Sequence, residues 1–388
     1  MKHDPADASA AKSSPVATGG SKAPLDTLLG KEMTRKEFLA FSALAIATVF
    51  GVVGLVKTLL SHAATPTASF EPESGAKTGG ANTVSDAGAS GGSAVKFTAA
   101  SSLPTTGDLV TRCRFGAYAS NEPYPVQPHF DLETATGGTK LPVASWFIAW
   151  PNSWMTDAAN TLQAHGGGYD ILCCWEATGV YFSDILNGSK DQYIKDFVNA
   201  ASTYPGQVVI RLFHESNGNW YDWSPGHNGH VLDTNQWIQA WRHVVTVARS
   251  TGKTNVKFFW CMNGNDAGGP TMESLWPGQD YVDIVGVDAY NWGGGGTFDS
   301  ILSDAYNRVT ALDSVHDFWV GETGMDTQTN AAAAFYTSAY KSQSFPRLRT
   351  VCWFHTGNFA ITLDSASLTV HKQQLPRMPQ YGGLIPRP

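Results

Sequence analysis

The chain has 388 residues, 42% of them hydrophobic, enough to bury a sizeable core. The formal net charge is −7 and no lysine/arginine cluster lies in the aromatic-rich part, which excludes a nucleic-acid footprint and suits a neutral substrate. Five cysteines, two of them the neighbours Cys173 and Cys174, make no even framework and no CxxC or His/Cys ligand spacing, so free buried thiols with at most one disulfide, and no structural zinc, are expected.

All 13 tryptophans lie between Trp146 and Trp353, and no tyrosine precedes Tyr118. One folded domain over 108–388 is therefore expected behind a long extension. Residues 1–33 have the composition of a disordered extension. Over 34–63, Arg35 and Lys36 precede 19 uncharged residues from Phe38 to Val56, the pattern of a targeting or membrane segment. "TRKEFL" is similar to a twin-arginine export signal, with Lys36 in place of the second arginine. A cleaved signal ending near Ala63 and an uncleaved anchor both fit, and either puts the folded domain outside the cytoplasm. Residues 64–107, rich in Gly, Ser and Ala, read as a flexible tether.

Beyond the tether, short apolar and β-branched runs recur, each closing on polar or aromatic residues. They are "RFGAYA", "VASWFIAW", "YDILCCWE", "QVVIRLFHE", "VKFFWCMN", "VDIVGVDAY", "FWVGET" and "TVCWFH". Between several of them lie stretches such as "DTNQWIQAWRHVVTVARS", with apolar residues at three and four and Asp, Thr or Asn near their starts. Strands apolar throughout, alternating with amphipathic helices, imply a parallel sheet covered by helices, and eight such units match a (β/α)8 barrel. A Pro-rich loop replaces a clear first helix, and the last 25 residues make a poor eighth one. An open doubly wound sheet is the alternative, but no glycine-rich phosphate loop follows any strand.

In such a barrel the chemistry gathers where the strands stop. Those ends carry Trp175 and Glu176, His214 and Glu215, Asn263, Asp288 and Tyr290, Glu322, and Trp353 with His355. Two carboxyl groups across a cleft lined by flat rings are what glycosidic bond cleavage needs, one as acid and the other as nucleophile or base. "HESNG" lacks the second histidine of HExxH, so a zinc peptidase is excluded and no metal or other cofactor is expected.

"IRLFHESNGNWYDWS", followed by "LWPGQDYVDIVGVDAYNW" and "WVGETG", resembles glycoside hydrolase family 26, whose members include β-mannanases, mixed-linkage β-glucanases and β-1,3-xylanases. The likeness covers most of 140–360. It implies a retaining mechanism with Glu215 as acid/base on the fourth strand and Glu322 as nucleophile on the seventh. It further implies His214 beside the acid/base, Tyr290 bonding the nucleophile, Trp353 as platform under the reacting sugar, and Arg211, Asn219, Trp220 and Trp223 framing the cleft. Trp175, Glu176 and Asp288 are further candidates for substrate contact. Asp222 and Ser216 depart from frequent family residues, so subsite preferences do not carry over. The expectation is a monomeric endo-β-1,4-mannanase, with mixed-linkage β-1,3-1,4-glucanase or an exopolysaccharide-trimming hydrolase or transglycosylase as alternatives. A carbohydrate-binding protein on an inactive barrel is the non-enzymatic one.

Overall fold

The computed structural model describes residues 81–85, 93–97, 113–293, 295–326 and 331–380. They fall in two units, within Met1–Ser101 and Ser102–Pro388. The expected extension and the signal or anchor segment lie outside the described residues. Within the stretch read as a tether, Ala81–Ser85 and Ser93–Phe97 pair antiparallel, Ala81 opposite Phe97 and Ser85 opposite Ser93. Thr83, Val84 and Val95 supply β-branched residues on either side of a connection holding three glycines, which is hairpin chemistry.

The second unit is a closed parallel barrel of eight strands in sequence order. The strands are β1 (Arg114–Ala119), β2 (Val143–Ala149), β3 (Asp170–Glu176), β4 (Val208–Leu212), β5 (Val256–Asn263), β6 (Ile284–Asn291), β7 (Asp317–Met325) and β8 (Leu348–His355). Each falls on one of the eight apolar runs. Side chains alternate along a strand, so one set faces the barrel axis and the other the helices. Val143, Leu172, Val209, Phe259, Ile284 and Trp319 form the small inner core, while Phe115, Trp146, Trp175, Leu212 and Trp353 join the larger outer one. Near the strand starts, Arg114 bonds Asp170 at 2.6 Å and Thr350 at 3.0 Å, fastening β1 to β3 and β8.

The helices are α1 (Gln127–Ala135), α2 (Thr156–Ala164), α3 (Phe182–Leu186), α4 (Asp191–Ala201), α5 (Thr234–Arg249), α6 (Phe298–Leu312), α7 (Ala332–Lys341) and α8 (Ser365–Gln374). In α5 the Asp233 carboxylate caps the first turn by accepting from Gln236 N at 2.8 Å. Its buried stripe, Trp237, Ala240, Trp241, Val244 and Ala248, keeps the three-and-four spacing; each large side chain buried contributes about 1.5–3 kcal/mol. Helices α1 and α8 correct the expectation for both ends of the barrel. Pro128 sits in the first turn of α1, where its missing N–H costs nothing, and Phe130 and Leu132 are buried. Asp364 caps α8 through the amides of Ala366 and Ser367. Between β5 and β6, the described residues hold only two 3-10 turns, Met272–Leu275 and Gln279–Tyr281. All five cysteines are buried, and Cys173, Cys174, Cys261 and Cys352 are free thiols.

Candidate active site

Strand β4 ends at Leu212, three residues short of Glu215. Phe213 and Glu215 then adopt left-handed backbone conformations, φ 45° and 53°, which cost energy for residues with a Cβ and need external support. Phe213 is fully buried among Phe182, Trp237 and Trp241. The Ser216 hydroxyl donates to Phe213 O at 2.6 Å and accepts from Trp237 Nε1 at 2.8 Å, and Glu215 N donates to Cys261 O on β5 at 3.0 Å. A larger apolar residue at 216 could not make these bonds. Asn217 fixes the far side of the turn, donating to Asn263 O at 2.8 Å and Asp266 Oδ1 at 3.1 Å while accepting from Asn263 N at 2.8 Å.

Glu322 reaches the axis by a different device. Val287 pairs with Val320 but Asp288 with Glu322, so Gly321 is the extra residue of a bulge that shifts the alternation by one. A Cβ at Gly321 would lie 2.7 Å from Asp288 Oδ1 and 3.0 Å from Arg211 Nη1, so only glycine fits.

Glu215 and Glu322 line one cleft of about 830 Å³ together with Trp220, Tyr221, Asp288, Tyr290, Trp292, Phe354 and Phe359. Arg211, fully buried, extends from β4 beneath it, bonding Asp288 at 2.5 Å and Glu322. Burial alone would weaken its charge, but Asp288, Cys174 and Glu322 hold the guanidinium firmly ionised. Tyr290 donates to Glu322 Oε2 at 2.6 Å. Glu215 has no such cation; Trp220 Nε1 donates to its Oε2 at 3.1 Å. Burial, then the neighbouring Asp288 and Glu322 charges, push the Glu215 carboxyl well above the usual range. Burial likewise raises Asp288 against the pull of Arg211, and raises Glu176, which feels both Arg211 and Glu322. His214 is driven far down by burial and by Arg211, so it is a neutral ring, 3.1 Å from the Tyr221 hydroxyl through Nε2.

Four expected contact residues lie elsewhere. Trp353 is buried against Phe115, Tyr336 and His371 on the outer face of β8, and Phe354, one residue on, faces the cleft in its place. Trp175 is likewise on the outer face, against Trp150 and Phe197. Trp223 is buried beneath the loop, donating to His214 O at 2.7 Å and stacking on Tyr221 at 4.3 Å. Asn219 is exposed beside Gly268, off the cleft wall. Asp222 ties the β3 and β4 loops together by accepting from Gly179 N at 2.7 Å. Tyr221, Trp292, Phe354 and Phe359 were not singled out from sequence. The first three stand inside the quoted runs.

A parallel eight-stranded barrel whose mouth sets two carboxyl groups of unlike surroundings in one aromatic cleft has the parts that glycosidic bond cleavage needs. The family model of glycosyl hydrolase family 26 matches residues 182–337 of this chain. The chain is 28% identical over 271 residues to endoglucanase H of Acetivibrio thermocellus, covering 66% of this chain and 29% of that protein. It is 34% identical over 113 residues to mannan endo-1,4-beta-mannosidase A and B of Caldalkalibacillus mannanilyticus, covering 29% of this chain and 21% of that one. The matches thus span less than a third of each curated relative. In fold it is similar to the YdhT protein of Bacillus subtilis, with TM-score 0.54 and 17% identity over 72% of this chain and 89% of that one. It is also similar to the Bacillus subtilis mannanase BCman, with TM-score 0.53 and 17% identity over 73% and 92%.

Proposed function

We propose that the protein hydrolyses a β-linked polysaccharide within the chain and with retention, Glu322 acting as nucleophile and Glu215 as acid/base. The contrast between the two carboxyl groups carries this reading. Glu322 accepts from Arg211 and Tyr290, as a carboxylate does, while Glu215 sits in a setting that favours its proton. A Glu322 oxygen attacks the anomeric carbon, the glycosidic C–O bond breaks, and the Glu215 proton passes to the leaving oxygen. Water then enters, Glu215 takes its proton, and the ester bond to Glu322 breaks. His214 and Arg211 hold this arrangement in place, and Asp288 anchors Arg211. Carbohydrate binding alone requires no such pair, which weighs against an inactive barrel.

β-1,4-Mannan is the leading substrate, supported by the mannosidase relative. The longer match to an endoglucanase favours β-glucan as the second reading. Release of reducing ends from purified linear β-mannan, mixed-linkage β-glucan and β-1,3-xylan decides between them, and no release from any of them would overturn the proposal. The basic pair and uncharged run at 35–56 support a barrel working outside the cytoplasm. Recovery of full-length active protein only from the cytosol would overturn that part.

A further inference from the structure

Arg211 is fully buried, and the register of the barrel decides what surrounds it. Cys174 of β3 is its direct partner across the strands, and the alternation that turns Arg211 to the axis turns Cys174 the same way. The Cys174 sulfur accepts from Arg211 Nε at 3.1 Å and from Nη2 at 2.8 Å. On the other side, Cys261 of β5 lies 4.0 Å from Nη1 and donates to Asp288 Oδ1 at 3.2 Å. With Asp288 Oδ2 at 2.5 Å from Nη1 and Glu322 on Nη2, each of the five guanidinium N–H groups has an acceptor, two of them carboxylate and three of them sulfur.

We infer that Cys174 is a positioning residue for the proposed hydrolysis, aiming the Arg211 guanidinium at Glu322 with Cys261 as a second stop, an inference that rests on the glycanase reading above. A guanidinium is a planar fork, so holding Nε and one Nη2 hydrogen on a single sulfur fixes its plane and leaves the other Nη2 hydrogen one direction, toward Glu322. The chemistry of the acceptor matters. Burial holds both thiols well above the ordinary thiol range, so they stay neutral beside the cation. A carboxylate at 174 would draw the guanidinium away from Glu322, whereas an apolar side chain would leave buried N–H groups unpaired and the fork free to turn. A neutral thiol fills the space, accepts weakly and leaves the positive charge to Asp288 and Glu322. Cys173, the neighbour on β3, faces the helices in the outer core and touches none of these groups.

The test compares Cys174→Ala, Cys174→Val, Cys174→Ser and Cys173→Ala with the unaltered full chain. The substrates are linear β-1,4-manno-oligosaccharides, linear mixed-linkage β-gluco-oligosaccharides and the matching activated aryl glycosides. Cys174→Val keeps the space filled and carries the test should Cys174→Ala fail to fold. Both should lower kcat about 10–100-fold, the loss of hydrogen bonds to a buried charge, with KM within about twofold of the parent. The loss should persist with activated leaving groups, which need no proton, because it falls on Glu322. Cys174→Ser restores a neutral acceptor, so it should stay within about threefold of the parent, as should Cys173→Ala. A residue that only packs gives the reverse order, with full turnover for Ala and Val and the poorest for Ser, a hydroxyl among apolar neighbours. That order, an equal loss in Cys174→Ser or Cys173→Ala, or a loss confined to substrates that need protonation overturns the inference while the glycanase reading stands. No turnover of any of these substrates by the unaltered enzyme would remove both.

Discussion

The Tyr290 hydroxyl donates to Glu322 Oε2 at 2.6 Å, joining the end of β6 to the bulge of β7. Arg211 occupies the other carboxylate oxygen, so the two donors fix the plane of the proposed nucleophile. Tyr290→Phe keeps the ring packed against Phe359 and Trp292 but removes the donor. Its kcat should fall about 100-fold, the usual loss for one such donor, with the thermal midpoint within a few degrees of the parent. Unchanged turnover of an activated aryl glycoside would take Tyr290 out of the mechanism.

The carboxyl pair separates by what each variant still does. In retaining enzymes such groups stand about 5–5.5 Å apart, too close for a direct water. Glu322→Ala should lose several orders of magnitude even with activated leaving groups, and azide rescue should yield the α-glycosyl azide. Glu215→Ala should still react with those leaving groups, accumulate the glycosyl intermediate and, with azide, give the β anomer. Proton NMR of the products distinguishes the two, and the reverse pattern exchanges the roles.

The Trp220 indole bond to Glu215 favours the ionised carboxylate and so works against burial. Since the acid is active when protonated, activity falls as pH rises through its pKa, which sets the basic limb of kcat/KM. Trp220→Phe removes the donor, so this limb should move to higher pH. Trp220 is 43% exposed on the rim, and the variant should fold normally. A limb that stays put or moves to lower pH would show that another group sets it.

Adjacent rings on β8 should respond in opposite ways. Trp353→Ala opens a cavity between β8, α7 and α8 and should destabilise by about 3–5 kcal/mol in urea unfolding. Phe354→Ala should leave stability nearly unchanged and lower kcat/KM roughly twofold to tenfold, in line with about 0.5–1.5 kcal/mol for a ring contact. A stable Trp353→Ala variant with weakened substrate binding would restore Trp353 to the cleft.

Both outcomes turn on one residue of phase. The eight strands were legible because a strand of a parallel barrel is buried on both faces and reads as a continuous apolar run. That same property hides which face a residue takes, since an outward tryptophan against a helix and an inward ring at the mouth are equally apolar. Trp175 and Trp353 were therefore assigned to the mouth although they pack outward, with Glu176 and Phe354 beside them turned the other way. Helices α1 and α8 escaped notice because prolines and short apolar content obscure their period, and their caps act through single side chains.

The sequence by itself determined the barrel and the positions of Glu215 and Glu322 at its mouth, while the pairing of Tyr290 with Glu322 was implied by the family resemblance. The barrel and the two mouth positions follow from local apolar runs that each close on polar residues. Only the tertiary structure decided that Arg211 lies under Asp288 and Glu322, that a bulge at Gly321 turns Glu322 inward, and that Ser300 of α6 joins the cleft lining. Each depends on register between strands or on contacts between residues far apart in the chain. Those are set by the closure of all eight strands together, and no single stretch of the chain encodes them.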